Sequence, residues 1–254
     1  MCGRFALRQT PEEVRRWFDY AETPNFPARF NIAPTQPIAI VRADSAGARH
    51  FALVRWGLIP SWVKDPADFS LLINARAETA IEKPSFRNPM RHGRCLVPAS
   101  GFYEWRRPAS GPKQAYWVQP RDGGLVAFAG LWETWFAPDG SDIETGAILT
   151  VEANAAIAQI HNRMPAVIAR EDFDTWLDTA TVPPRKAKDL LKPAPEDLFG
   201  AIPVSNRVNA VANDDVGLQE RAAAQEPEVK PAPVKPKRAP KRQDPPDDGQ
   251  MSLL

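Results

Sequence analysis

A cysteine stands at position 2 of this sequence, directly after the initiator methionine. Because its side chain is small, we expect removal of Met1 to expose Cys2 as the mature N-terminus. The α-amine and the thiol, whose ordinary pKa values are about 8 and about 8.5, would then lie on adjacent carbons. Such a 1,2-aminothiol condenses with an aldehyde, since the amine forms a Schiff base and the thiol then closes a five-membered thiazolidine. Position alone still favours a plainer interpretation, in which Cys2 is only a small residue near a frayed terminus.

The cysteine and histidine content limits the other chemistry of the chain. Cys2 and Cys95 are its two cysteines, too few for a disulfide framework, and a reducing cytosol keeps them as thiols. The chain has three histidines and no Cys-x-x-Cys pair. We therefore expect no metal site and no cofactor.

Charge and hydropathy exclude some classes of protein and leave others open. The net charge is +1, so nucleic-acid binding would need a local basic groove and is neither predicted nor excluded. The longest apolar runs are strand-sized, and the N-terminus lacks the apolar segment of a signal peptide. We expect a monomeric, cytoplasmic protein without membrane contact, associated with the nucleoid if the source is bacterial.

The composition changes near residue 220. Residues 1–220 predict one α+β domain, whereas residues 221–254 are rich in Pro, Lys, Arg, Glu and Asp and contain no aromatic residue. Such a segment cannot bury enough apolar surface to offset its ordering entropy, so we predict a disordered tail. Its basic cluster at 235–242 could add weak, salt-sensitive DNA affinity, and the tail is a candidate site for replication or repair partners. A solvated tail without a partner is the plainer interpretation.

Strands dominate the pattern of the predicted domain. A helix is predicted over 11–19, with Thr10 as N-cap, and others over 152–161 and 171–177. The predicted strands are 37–42, 50–56, 71–74, 94–98, 115–119, 124–131, 145–151 and 166–169. No parallel βαβ rhythm is present in this order.

Eight short blocks, spread from the N-terminus to beyond residue 160, give Cys2 its context. They are CGRF at 2–5, RFNIAPT at 29–35, WGLIPSW at 56–62, INARAET at 73–79, RCLVP at 94–98, GFYEW at 101–105, AGLW at 129–132 and HNRMP at 161–165. In residue types and in order they resemble the SOS-response-associated peptidase (SRAP) family over about residues 2–210. One departure is Phe30, where a tyrosine is common, and it leaves Asn31 and Pro34 of that block intact.

The resemblance implies a fold and a reaction. The fold is a bifurcated, barrel-like mixed β-sheet flanked by short helices. The reaction is covalent capture of abasic sites in single-stranded DNA, in which the N-terminal cysteine forms a thiazolidine with the open-chain sugar aldehyde. The family's motif residues correspond to Cys2, Asn74, Glu104 and His161.

Elementary chemistry agrees with these assignments. Schiff-base formation moves a proton from the amine and another onto the departing water, and a carboxyl group among aromatic residues suits that task. Glu104 lies between Tyr103 and Trp105, although a surface ion pair with a neighbouring arginine is the plainer interpretation. His161, at the end of a predicted helix, could protonate the sugar ring oxygen and promote ring opening. Asn74 could bond the amine or a sugar hydroxyl without adding charge.

Other residues near these motifs are candidate DNA contacts. Arg4, Arg76 and Arg163 each lie within two residues of a proposed catalytic residue and could bind backbone phosphates. Trp62 is a candidate wedge or stacking surface for a flanking base, with core packing as the alternative. Three further candidate contacts are Asn31, Pro34 and Thr150.

Three functions compete at this point. The first is a DNA–protein crosslinking enzyme that protects abasic sites in single-stranded DNA during the DNA damage (SOS) response. The second is a cysteine (auto)peptidase with Cys2 as nucleophile, His161 as base and Asn74 as the residue that orients the base. The third is a passive single-stranded DNA-binding module in which Cys2 has no role.

Overall fold

The computed structural model of the protein describes residues 2–222, so residues 223–254 of the predicted tail lie outside the described part. Most of the regular structure within these residues is β-sheet. The strands are β1 (Arg4–Leu7), β2 (Arg29–Ile32), β3 (Pro37–Ala43), β4 (Arg49–Trp56), β5 (Asn74–Arg76), β6 (Arg94–Ala99), β7 (Gly101–Arg106), β8 (Gln114–Pro120), β9 (Val126–Phe136), β10 (Asp142–Glu152), β11 (Arg163–Pro165), β12 (Val167–Ile168) and β13 (Phe199–Pro203). The α-helices are α1 (Pro11–Phe18), α2 (Pro84–His92), α3 (Ala155–Ala158), α4 (Phe173–Leu177) and α5 (Pro184–Lys188). Short 3₁₀ turns cover Pro66–Asp68, Arg170–Asp172, Asn206–Asn209 and Val216–Gln219.

Five strands close into a barrel. β3 pairs antiparallel with β4 and β6, β6 pairs with β9, and β9 pairs with β10. β10 then returns to β4 in a parallel register and completes the ring. Closure leaves these five strands without a free edge, and the parallel pair makes the sheet mixed. The short strands β5, β11 and β12 extend this barrel.

A second, antiparallel sheet in the order β13-β8-β7-β1-β2, here called the flanking sheet, packs on the barrel. Side chains of its strand β1 alternate between two environments, as the period of a strand requires. Phe5 contacts Trp56 of the barrel edge-to-face, with ring centroids 5.2 Å apart. Ala6 instead packs with Tyr103 and Trp117 on the opposite face. The two sheets and short helices confirm the predicted α+β class with a barrel-like mixed sheet in a single domain.

The segment that follows β13 covers the outer face of the flanking sheet. Asn31 donates from Nδ2 to the carbonyl oxygen of Asn213 at 2.7 Å, and Arg29 forms an ion pair with Asp214 at 2.5 Å. Arg221 forms an isolated antiparallel bridge with Val204. This segment therefore stays in contact with the rest of the domain as far as Arg221.

Helix α1 forms as predicted. Thr10 and Glu13 make a reciprocal capping box, and the chain leaves the helix at Asp19 in a left-handed conformation. By contrast, α2 is not predicted from the sequence, because Pro89 lies in its interior. No helix among residues 2–222 is long and apolar enough to cross a membrane.

Two predicted elements near the candidate residues were wrong in their extent. The helix predicted over 152–161 is reduced to α3, because β10 continues through Glu152 and Asn154 provides the N-cap. The strand predicted over 71–74 lies later, at β5, where pairing with β10 determines its extent. Before it, Leu72 makes only an isolated bridge with Leu58.

Candidate active site

Cys2 is fully buried just before β1, the strand between β7 and β2 in the flanking sheet. Its thiol lies 3.7 Å from the carbonyl oxygen of Arg4. Burial raises the pKa of the Cys2 thiol, and the negative charge of Glu104 raises it further. The thiol is therefore held in its protonated form.

Glu104 is carried by β7, the antiparallel neighbour of β1, and is 2% exposed. The prediction that Tyr103 and Trp105 surround its carboxyl group was wrong. Alternate residues of a strand face opposite sides, and these two aromatics pack in a cluster with Trp117 on the other face. Glu104 is thus buried by the junction of the two sheets rather than by its sequence neighbours.

Asn74 reaches the same point from the barrel. It begins β5, which pairs in parallel with β10. Its Nδ2 donates to the carbonyl oxygen of Cys2 at 2.8 Å. Its Oδ1 is buried and has no hydrogen-bond partner within residues 2–222, so an acceptor is available beside the Cys2 backbone.

His161 lies in the loop between α3 and β11. The prediction that it ends a helix was wrong, because α3 stops at Ala158 and is a single turn, so a helix dipole does not act on this imidazole. The backbone N–H of Arg163 donates to Nδ1 at 3.0 Å, which leaves Nε2 to carry the proton of a neutral ring. Nδ1 is also 3.6 Å from Oε1 of Glu104, longer than a hydrogen bond.

Strand β10 brings the barrel residues to this junction. At Thr150 it is paired on one side with Arg76 of β5 and on the other with Pro165 of β11. Asn74 is the first residue of β5, and His161 lies two residues before β11. The structure therefore brings Cys2 and Glu104 of the flanking sheet together with these two residues of the barrel.

Two of the predicted DNA contacts on this side bond within the protein. Arg4 donates to Oδ1 of Asn31 at 2.9 Å and to the carbonyl oxygen of Val208 at 2.6 Å. Asn31 is fully buried. These bonds attach β1 and β2 to the segment after β13, and Arg4 stays half-buried.

Arg163 and Thr150 also bond internally. Arg163 forms a two-pronged ion pair with Glu78, with distances of 2.7 and 2.9 Å. It also donates to the carbonyl oxygen of Thr150, whose side chain is fully buried. This clamp joins β10, β11 and the turn after β5. In this arrangement its bonds position the strands.

Arg76, Trp62 and Pro34 lie at the surface to different degrees. Arg76 is exposed on the same face of β5 as Asn74, two residues away. Trp62 is 56% exposed and meets Phe69 edge-to-face, so the core-packing alternative does not hold for it. Pro34 is half-buried in the turn between β2 and β3. All three remain candidate contacts for a strand at the surface.

A pocket of about 570 Å³ opens beside Glu104 and His161. It includes basic residues that the sequence analysis did not select for binding: Arg106, Arg107 and Lys113. The available signal was the run of cations on either side of a Pro- and Gly-containing turn directly after Glu104. No group of three or more His, Cys, Asp or Glu side chains in residues 2–222 is arranged to hold a metal ion.

Comparison with known proteins agrees with this architecture. A model of the SOS response associated peptidase (SRAP) family matches residues 1–211. The abasic site processing protein YoqW of Bacillus subtilis (strain 168) is 37% identical over 223 residues, covering 87% of this chain and 99% of that protein. The abasic site processing protein HMCES of Gallus gallus is 37% identical over 258 residues, covering 84% of this chain and 76% of that protein.

A crystal structure of a protein from Bacteroides thetaiotaomicron is similar over the whole domain. It is 25% identical, with a TM-score of 0.78 and coverage of 87% of this chain and 100% of that chain. A second, from Bordetella bronchiseptica, is 28% identical with a TM-score of 0.69, and covers 81% of this chain and 100% of that one. From the family match, the relatives and the shared fold together, this chain belongs to the SRAP family.

Proposed function

We propose that this protein captures abasic sites in single-stranded DNA as a covalent thiazolidine on Cys2, after removal of Met1. The observation that carries the proposal is the convergence of Cys2, Asn74, Glu104 and His161 at the junction of the two sheets. The names of the relatives supply the substrate, since both are called abasic site processing proteins. Crosslinking shields the lesion from strand cleavage, and we extend the proposal to the DNA damage (SOS) response named in the family description.

The first step joins the α-amine of Cys2 to C1′ of the ring-opened sugar. The amine adds to the aldehyde carbon, its proton passes to Glu104, and Glu104 returns a proton to the departing hydroxyl, which leaves as water. The product is a Schiff base. The bond from Asn74 to the Cys2 carbonyl fixes the backbone that bears the amine, and Oδ1 of Asn74 would accept from the amine.

The second step closes the ring. The thiol sulfur adds to the carbon of the Schiff base, and the thiol proton passes, through Glu104, to the nitrogen. The overall reaction consumes one aldehyde and one aminothiol and releases one water. Because burial and Glu104 raise the pKa of the thiol, the amine is the first nucleophile and the thiol acts second.

His161 acts earlier, on the closed sugar. A proton delivered by His161 to the ring oxygen, while Glu104 takes the proton of the C1′ hydroxyl and returns it to the imidazole, would open the sugar to the aldehyde that the amine needs. The hydrogen bond from the backbone N–H of Arg163 keeps Nδ1 as an acceptor. The ring proton is then on Nε2, the other nitrogen of the imidazole. His161 thus complements Glu104, which handles the protons of the later steps.

The same geometry speaks against a peptidase. A cysteine nucleophile of that kind needs a thiolate, normally stabilised by an adjacent imidazolium. Here Glu104 is the charged side chain that acts on the Cys2 thiol, and it opposes thiolate formation. The His161 imidazole lies beside the same carboxylate, with Nδ1 3.6 Å from Oε1 of Glu104.

Intact mass spectrometry of the purified protein tests the proposal, before and after incubation with single-stranded DNA containing one abasic site. We expect the free protein to lack Met1, and the product to have the combined mass of protein and oligonucleotide minus one water. Cys2→Ser should give an adduct only after borohydride reduction, since it can form a Schiff base but no thiazolidine. Cys95→Ala is the matched control because it removes the other buried thiol.

Three outcomes would overturn this function. A variant with one residue inserted before Cys2 that still forms a heat-stable adduct would show that the thiol need not lie beside a free amine. Absence of any covalent species with the wild-type protein would favour a passive binding module. Cleavage of a peptide reporter without DNA, lost in both Cys2→Ser and His161→Ala, would favour the peptidase.

A further inference from the structure

The pocket beside Glu104 and His161 is the first part of a longer groove. A second pocket of about 310 Å³ adjoins it and shares Arg106, Gln159 and Ile160 as lining residues. One wall is formed by β7 and β8, and the other by α3 and the loop that leads to His161. The groove therefore runs away from the candidate active site along the edge where the two sheets meet.

The lining of this groove is strongly basic. Arg106, Arg107 and Lys113 line its first part, and Arg121 joins Arg106 in the second. Glu104, which we place in the reaction, is the acidic residue among the lining residues of the two pockets. A chain of net charge +1 thus has a local surface suited to an anionic polymer.

These cations differ from Arg4 and Arg163 because no partner within residues 2–222 neutralises them. Arg4 is bonded to backbone carbonyls and Asn31, and Arg163 is paired with Glu78. By contrast, none of the four groove cations has an ion pair or a side-chain hydrogen bond within the described part of the chain. All four are exposed, and Arg106 is held over the ring of Tyr116, with its guanidinium carbon 5.3 Å from the centroid.

We propose that this groove binds the phosphate backbone of the substrate strand on one side of the abasic site. The inference rests on the proposed function for its substrate, and it adds Arg106, Arg107, Lys113 and Arg121 to the candidate phosphate contacts. Continuity with Glu104 and His161 makes the groove an extension of the reaction site. A basic channel that follows the backbone is the usual way to bind single-stranded DNA independently of sequence. The contacts carry no base specificity, since phosphates are alike along the strand.

The first test measures equilibrium binding of an undamaged single-stranded oligonucleotide, which has no aldehyde and cannot be captured covalently. Each phosphate contact to a single strand contributes a slope of about 0.7 to the dependence of log affinity on log salt. With Arg106→Gln, Arg107→Gln and Lys113→Gln combined, the slope should fall by about 2. Between about 50 and about 200 mM salt, the wild type should then lose about 20-fold more affinity than the triple variant.

Arg16→Gln is the matched control. Arg16 is an exposed cation of α1, with 78% of its side chain accessible, and it does not line the groove. Its salt slope should equal that of the wild type. Because Arg106 contacts Tyr116, the double variant Arg107→Gln/Lys113→Gln keeps the test valid if the triple variant misfolds, and its slope should fall by about 1.4. An unchanged slope in the groove variants, or an equal fall in the Arg16→Gln control, would overturn the proposal.

The second test determines whether the groove binds the strand on only one side of the lesion. Two abasic oligonucleotides are compared, one extended only in the 5′ direction from the lesion and the other only in the 3′ direction. The groove variants should slow covalent capture of one of them at least tenfold at low concentration and affect the other much less. Equal slowing of both would contradict a one-sided groove. If the wild type captures neither, the proposed function fails, while the salt dependence with undamaged DNA still decides whether the groove binds the strand.

Discussion

Nδ2 of Asn74 donates a 2.8 Å hydrogen bond to the carbonyl oxygen of Cys2. Strand β5, which extends the barrel, thereby holds the residue just before β1 of the flanking sheet. The two residues are 72 positions apart in the chain. The bond fixes the backbone of Cys2 rather than its thiol. It therefore bears on the position of the α-amine, the group that we propose reacts first.

Asn74→Ala should slow covalent capture of abasic DNA without preventing it. The variant loses one partly buried hydrogen bond, worth about 1 to 1.5 kcal/mol, which corresponds to roughly tenfold in rate. Single-turnover kinetics measure this rate, and the amount of adduct at long times should approach that of the wild type. A variant rate within twofold of the wild type would show that the bond does not position the amine.

Glu104→Gln should slow adduct formation by about 100- to 10,000-fold, the usual contribution of a proton-transferring side chain. It should also lower the pKa of the Cys2 thiol, because the charge of Glu104 is one cause of the raised value. The rate at which a small alkylating agent modifies Cys2 at fixed pH, in a Cys95→Ala background, reports that shift because only the thiolate reacts. Glu144→Gln, which removes a carboxylate paired with Arg42 on the barrel, is the control and should change neither quantity. A slow Glu104→Gln variant with an unchanged thiol pKa would place Glu104 away from the sulfur.

The Arg163–Glu78 ion pair predicts a pH dependence of stability. Its hydrogen bonds hold the pKa of Glu78 below the ordinary value. Because the folded pKa is the lower one, the stabilisation is present above the unfolded pKa of about 4.3 and is lost as pH falls through the folded pKa. Glu78→Gln should therefore lower the urea midpoint at neutral pH and have less effect in acid. An equal effect at both pH values would mean that the charge of Glu78 does not matter.

His50 predicts the opposite dependence. Hydrogen bonds that the protonated ring of His50 donates to Glu22, at 2.6 Å, and to Asp44, at 3.2 Å, raise the pKa of His50. A raised folded pKa stabilises the protein fully below the unfolded value of about 6.5, and the contribution is lost as pH rises through the folded pKa. Urea unfolding of His50→Gln across this range should show a smaller fall in stability with pH than the wild type. His92→Gln, on the exposed end of α2, should retain the wild-type fall. If His50→Gln retains it too, the carboxylates do not hold the proton.

Much of this protein was predictable from local sequence. The capping box of Thr10 and Glu13, the long strands of the barrel and the order of the eight motifs all depend on residues that are close together in the chain. The aminothiol chemistry proposed for Cys2 likewise follows from its position directly after Met1. Such features can be predicted without knowledge of the fold, because turn geometry and the alternation of side chains depend on a few neighbouring residues.

Tertiary structure decided which of these residues meet and which are already bonded elsewhere. Strand pairing across β10 brings Asn74 and His161 to the flanking sheet, and no local pattern encodes that pairing. The same packing uses Arg4 and Arg163 as internal clamps and leaves Arg106, Arg107 and Lys113 without ion pairs within residues 2–222. A side chain's type determines what it can bind, but whether it is free to do so depends on partners far away in sequence. For this reason Cys2 was recognisable from the sequence, whereas the groove beside Glu104 and His161 became visible only in the fold.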